Sequence, residues 1–166
     1  MKSIKRYRLG QRETKELLEC LSDTLGKKTR KLILQGRSLE VVDLSPTEKI
    51  FLLNEKPILI ETGGQTIPAL LNESLLGLIP SVIVDMGAVP HVCNGADVMA
   101  PGIIGVEGEF VAGVLVVIRD ERHHKAIAVG RSLYDSNRFR KKKHGRMVEN
   151  LHFVGDDIWK KAEHAL

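Results

Sequence analysis

Aromatic rings are scarce in this chain. They make up 4% of its 166 residues, as four Phe, two Tyr and one Trp. Val, Ile and Leu must therefore build the core, and the stacking platforms of many single-strand binders are argued against. Cysteine is scarcer still. Cys20 and Cys93 stand far apart in the sequence, a usage that predicts two buried free thiols in a reducing compartment rather than a disulfide. No apolar run approaches the ~18 residues of a membrane helix. The start, Met1 to Arg8, has basic residues but no apolar stretch behind them, so no secretory signal is expected. These absences predict a soluble, cytoplasmic protein with no membrane partner.

Reactive constellations are missing too. His91 and Cys93 would supply two metal ligands where a structural zinc site needs four, so no metal is expected. Gly63-Gly64-Gln65-Thr66 lacks the lysine and the spacing of a phosphate-binding loop. Nowhere do nucleophile, base and oxyanion donor fall together. The chain is expected to be no enzyme and to need no cofactor.

What is present is an ordinary globular composition, 43% hydrophobic and 28% charged, in a length that allows one domain or two small ones. The net charge is only +4, but it is unevenly spread. Lys2, Lys5, Arg6, Arg8 and Arg12 open the chain without an acid among them. Lys27, Lys28, Arg30 and Lys31 form a second cluster, and Arg138, Arg140, Lys141, Lys142, Lys143 and Arg146 a third, with His144 inside it. Clustered cations suit a polyanion, because each phosphate contact releases condensed counterions. Charge runs are also commonly solvated faces.

Periodicity divides the chain near Pro80. Leu17, Leu18, Leu21 and Leu25 predict an amphipathic helix over 14–25, stopped by Gly26. Short β-rich segments follow at 31–34, 39–44, 49–54, 58–61 and 65–68, separated by turn chemistry at Gln35-Gly36, Ser45-Pro46, 54–57 and Gly63-Gly64. A short helical connection is expected at 70–78. Beyond it, strands are predicted at 81–84, 96–99, 103–106, 111–119, 125–131 and 148–153. The 111–119 strand is the most hydrophobic and is expected at the centre. A helix is expected at 86–94, a helix or loop at 135–143, and a C-terminal helix at 156–163 capped by Asp156. The expected fold class is α+β: a small N-terminal α/β meander domain (1–78), then a pseudo-barrel of mixed strands with its C-terminal helix (79–166).

The densest pattern runs from Val84 to Ile103. Two Gly-Ala pairs, Gly87-Ala88 and Gly95-Ala96, bracket one short helix, and Pro101-Gly102 closes the stretch. Small residues at such points let another backbone come close. The string Asp85-x-Gly87-Ala88, then Gly95-Ala96-Asp97-x-Met99-x-Pro101-Gly102-Ile103, resembles the signature of the PUA domain. The likeness continues through 126–130, Gly145 to Val148, His152 and Gly155-Asp156-Asp157-x-Trp159. The first half is similar to the N-terminal domain of the malignant T-cell-amplified-sequence proteins and their archaeal relatives, best over 56–62 and 67–71.

This resemblance implies RNA binding in translation. The expected target is tRNA or small-subunit rRNA during translation initiation or ribosome recycling. A separate initiation-factor-like protein and the small ribosomal subunit are the expected partners. Other readings remain open: a targeting subunit for an RNA-modifying enzyme of the transglycosylase or pseudouridine synthase type, a ribosome-biogenesis factor, or a protein–protein adaptor.

Carried over by motif, the RNA-binding set is Gly95, Ala96, Asp97, Met99, Pro101 and Gly102. Arg131, Arg138, Arg140, Lys141, Lys142, Lys143 and Arg146 would supply charge. Gly95 and Gly102 would let a phosphate or ribose reach backbone N–H groups. The plainer readings are that Gly87 and Gly95 bracket the helix, Asp85 caps it, Met99 and Ile103 are core, and Trp159 is a packing anchor.

Overall fold

The computed structural model describes residues 4–35 and 39–165. Lys2 of the first basic cluster and the turn expected at Gly36 lie outside the described residues. Strands β1 (Lys5–Arg8), β2 (Leu39–Ser45), β3 (Glu48–Leu53), β4 (Lys56–Thr62) and β5 (Gln65–Pro68) pair in sequence order as an antiparallel meander. Strands β6 (Ser81–Val84), β7 (Val98–Met99), β8 (Ile103–Glu107), β9 (Leu115–Asp120), β10 (Ala126–Ser132) and β11 (Arg146–Phe153) form a second, mixed sheet in the order β7-β11-β10-β9-β6-β8. Only β6 and β9 run parallel in it. The fold is α+β, a meander followed by a curled mixed half-barrel.

One helix is longer than the sequence suggests. Helix α1 (Gln11–Gln35) is kinked at Gly26, whose φ of 77° and ψ of 168° are not helical. Gly26 does interrupt, but the chain turns back into helix, and the strand expected at 31–34 is absent. The reason is spacing: Leu25, Thr29 and Ile33 are buried while Lys27 and Lys31 between them are exposed, an every-fourth pattern that a helix gives and the two-residue repeat of a strand does not. Thr29 returns its hydroxyl to the Leu25 carbonyl at 2.9 Å. Cys20 corrects a second expectation. It falls off the Leu18–Leu21–Leu25 stripe and is exposed, while Cys93 is half-buried; both thiols are free.

Strand β1 carries no apolar alternation, and all four of its residues are exposed. It is held by register and charge, with Arg6 Nε 2.5 Å from Glu40 Oε2 on β2. Arg8 reaches the same carboxylate at 4.0 Å, and Arg12 pairs with Glu16 at 3.2 Å. Much of the first basic cluster therefore decorates a protected sheet edge.

The two sheets share a core. Leu18, Leu21, Leu25 and Ile33 of α1 meet Val41, Phe51, Leu59 and Ile67 of the meander, and the same cluster takes in Leu115, Val117 and Val129 of the second sheet. Val116, Ile118, Ala128 and Val148 point the other way into a second core with Val92 and Val98. Strand β9 is thus buried on both faces, as its unbroken apolar run predicts. Helices α2 (Glu73–Leu76) and α3 (Val89–Val92) are single turns. Helix α4 (Asp157–His164) follows β11 but packs Ala162 on Val42, Ile50 and Leu52 of the meander, and Lys161 Nζ lies 2.6 Å from Glu48 Oε2. No described helix is long and apolar enough to cross a membrane.

Candidate nucleic-acid interface

The stretch singled out by its glycines folds into one wall of a groove. Asp85 ends β6 and turns the chain: its Oδ1 accepts the Ala88 N–H at 2.8 Å, and its own N–H donates to the Gly102 carbonyl at 2.9 Å. Asp85 is therefore a turn cap, and it ties the segment before α3 to the 3-10 turn at Ala100–Gly102. A Cβ on Gly102 would sit 3.0 Å from that of Ala88, so small residues on both sides let the two turns close together.

The result is a groove of about 520 Å³ lined by Gly87, Ala88, His91, Ala96, Asp97, Met99, Pro101 and Gly102, among others. It brings together Ala96, Asp97, Met99, Pro101 and Gly102 from the expected set. Met99 corrects the expectation of a core residue. On the edge strand β7, Val98 is 1% exposed and faces the core, and alternation turns Met99 outward, at 49%.

Gly95 plays a different part. Its φ of 93° is left-handed, and an added Cβ would stand 3.2 Å from the Phe153 ring. Its N–H donates to the Val92 carbonyl at 3.0 Å, and that of Ala96 to His91 at 3.0 Å. Those amides are already used, so a ligand meets side chains and apolar surface there rather than the open N–H nest first expected at Gly95.

Sequence reasoning missed Asn150. From β11 its Nδ2 donates to the carbonyls of Val92 and Ala96, each at 3.0 Å, and its backbone N–H donates to Asp97 Oδ1 at 2.8 Å. Asp97 is completed by Arg146, with Nη1 3.0 Å from Oδ2. Asn150 thus clamps the loop that forms the groove floor. A single polar residue inside a β-rich run gave no signal of this, because its partners lie over fifty residues away. Replacing Asn150 by Ala strands the Ala96 carbonyl and takes one of two donors from that of Val92, which keeps the Gly95 N–H, an expected loss of about 1.5 kcal/mol in chemical denaturation. Hydrogen exchange should quicken first at 92–97.

The third basic cluster divides. Residues 136–140 form a 3-10 turn anchored by Phe139, whose ring meets Phe110 edge-on at 5.3 Å. Lys142 is drawn inward: Nζ binds the Tyr134 hydroxyl and lies 3.9 Å from the centre of its ring. That hydrogen bond and the ammonium charge push the Tyr134 hydroxyl below its ordinary pKa. Arg146 is held at the groove by Asp97. Arg138, Arg140, Lys141 and Lys143 are exposed, and no ion pair engages them among the described residues.

The cluster returns to the groove at Gly145, whose carbonyl accepts the Ala100 N–H at 2.8 Å, and Arg146 pairs with Met99 across β7 and β11. The end of the basic segment therefore borders the groove. Arg131 does not. Its guanidinium binds the Gly113 carbonyl at 2.8 Å and Gln65 Oε1 at 3.1 Å, bridging the two sheets. Its strand is where charge was expected, but its side chain leaves from the face turned to the meander.

Residues 80–154 match the PUA domain family. An uncharacterized protein of Methanocaldococcus jannaschii is 32% identical over 162 residues, covering 96% of this chain and 98% of that one. Translation machinery-associated protein 20 of Saccharomyces cerevisiae is 24% identical over 77% of this chain and 75% of its own length. Among solved structures, a PUA domain from Aeropyrum pernix K1 is 28% identical and superimposes with a TM-score of 0.84, over 97% of this chain and 92% of that one. The chain belongs to the PUA-domain proteins, in the family that joins translation machinery-associated protein 20, the malignant T-cell-amplified sequences and archaeal relatives.

Proposed function

We propose that this protein binds structured RNA in the translation apparatus, with tRNA or small-subunit rRNA as its target during initiation or recycling. It acts by binding, in the cytoplasm, and catalyses nothing itself. A separate initiation-factor-like protein would share the small ribosomal subunit with it. The observation that carries this reading is the groove of about 520 Å³ with Gly145 and Arg146 at its border and the exposed cations Lys141 and Lys143 just before them. The apolar, small-residue floor admits a sugar or base, and the flanking cations suit its phosphates. The yeast relative is a translation machinery-associated protein by name, which agrees with a ribosomal or tRNA ligand.

The test is a titration of the full chain against tRNA, with and without its single-stranded 3′ end, from low to moderate salt. Affinity is expected to fall steeply with salt through counterion release. Replacing Arg140, Lys141 and Lys143 together by Ala should weaken binding about tenfold at low salt and flatten the slope of log affinity against log salt by about 2 to 3. No detectable binding at about 50 µM, in the range of non-specific nucleic-acid affinity, refutes the proposal.

A further inference from the structure

Arg119, at the end of β9, is only 5% exposed. Its Nε donates to Ser81 Oγ at 3.2 Å, and its Nη1 to Glu73 Oε1 at 2.7 Å and the His124 carbonyl at 3.1 Å. Its Nη2 makes no hydrogen bond among the described residues and is not sealed from solvent. The guanidinium forms part of the wall of a cleft of about 650 Å³, where the connection 77–81 crosses the end of β8. The two Nη2 N–H groups are therefore the donors that the guanidinium has left for an incoming acceptor.

The same lining supplies acceptors in Glu107 and Glu109. Glu107 is engaged by His124 Nε2 at 3.1 Å. Glu109 is exposed and has no partner among the described residues. Leu78, 38% exposed, and Pro80 offer apolar ground between them. Next door, a recess of about 280 Å³ shares Gly108 and Glu109 with the cleft and contains Arg140 and Lys141.

We propose that this cleft seats one unpaired guanine of the bound RNA, with the adjoining phosphate held by Arg140 and Lys141. The inference rests on the RNA-binding reading above and adds a second subsite to it, whose lining shares no residue with the glycine-lined groove. Guanine is the base whose O6 and N7 accept from a guanidinium, while its N1–H and N2–H donate to a carboxylate. Arg119 Nη2 and Glu109 are the two open groups of matching sense. Adenine would turn an amine toward the arginine in place of O6 and lacks the paired donors for Glu109.

The experiment measures fluorescence anisotropy of the full chain with a labelled single-stranded octanucleotide of A and U that contains one central G. Versions with adenosine or inosine at that position serve as comparators. The G version is expected to bind about tenfold tighter than the A version, the discrimination of one good bidentate base contact. Inosine, without the N2 amine, should fall between. Glu109→Gln should bring the G version down to the level of the A version. Arg119→Lys should do the same if it folds, and the exposed Glu109 keeps the test decisive if it does not. Met99→Glu in the groove should weaken every oligonucleotide alike and preserve the preference for G.

Equal binding of G and A, or a preference that survives Glu109→Gln, overturns the inference and leaves the RNA-binding reading intact. Failure of both tRNA and oligonucleotides to bind overturns the two together. Occupation of the cleft by an alternating Leu-Lys peptide instead of RNA overturns it in favour of a protein partner.

Discussion

Alanine in place of Gly130 is expected to destabilise the protein by about 3 kcal/mol, lowering the melting temperature by about 10 °C. The cause is local and steric. Between Val129 and Gly130 the register of β10 against β11 shifts by a bulge. There an added Cβ would stand 2.4 Å from Val148 Cγ1 and 2.6 Å from the Glu149 carbonyl oxygen. The valine methyl has rotamers to try, but the carbonyl belongs to the neighbouring strand and moves only if the ladder moves. Gly105, on the edge strand β8, is the matched control. Nothing lies within 4 Å of a Cβ built there, so Gly105→Ala should change stability by less than about 0.5 kcal/mol. Thermal unfolding of the two variants side by side checks both values. A small effect at Gly130 would mean that β10 and β11 yield where they are drawn as rigid.

The bulge also displays what a linear sequence conceals. Gly130 looked like the end of a strand, and its use becomes visible only once Val148 is beside it. Segments whose burial follows a simple period are legible: β2 to β5 and the capped helix α4 fall where turn residues and apolar spacing put them, while β9 begins at Leu115 rather than at 111, because 111–114 turn and leave Val111 exposed. The strand expected at 31–34 failed because four apolar or long residues in a row satisfy two periods at once. What decides for the helix is Lys27 and Lys31, which a strand would place on the same face as Leu25, Thr29 and Ile33. Strand β1 was missed because its pairing is carried by arginines against Glu40 and by no apolar alternation at all.

The candidate interface was legible in the same uneven way. Its glycines and its proline stand close in sequence, so the groove from Asp85 to Gly102 declared itself. Asn150 and Arg119 act on partners up to fifty-eight residues distant, and neither residue type marks such a role in advance. The cations were visible as a cluster, but their separation was not. Tyr134 and Asp97 hold two of them, while Arg138, Arg140, Lys141 and Lys143 remain available. Arg131 shows the limit of reading along one strand. The sequence offers it as a source of charge for the interface without showing which face it takes, and the pleat sends its side chain to Gln65.

Asp156 ties the end of β11 to helix α4 through a single carboxylate, and Asp156→Ala is expected to cost about 3 kcal/mol. Its Oδ1 caps α4 by accepting the Trp159 N–H at 2.8 Å, and its Oδ2 accepts from the Phe153 N–H at 3.0 Å and lies 2.8 Å from His152 Nδ1. His152 is completely buried, and its Nε2 already lacks a partner among the described residues. Without Asp156 both ring nitrogens would be stranded.

Burial raises the pKa of Asp156, but the hydrogen bond and charge of His152, with the two backbone N–H groups, outweigh it and hold the carboxyl below its ordinary range. A depressed carboxylate stabilises the fold fully above its unfolded pKa, and that contribution disappears as pH falls through the folded value. Wild-type stability should therefore decline below about pH 4, the ordinary aspartate range. Asp156→Asn, which keeps a cap but cannot ionise, should show a lower plateau and a shallower decline. Urea unfolding at pH 7 and in steps toward pH 3 reads both. Because α4 reaches back to Val42, Ile50 and Leu52, hydrogen exchange in the alanine variant should rise in β3 as well as in α4. Exchange confined to α4 would show that the meander holds its own face without the helix.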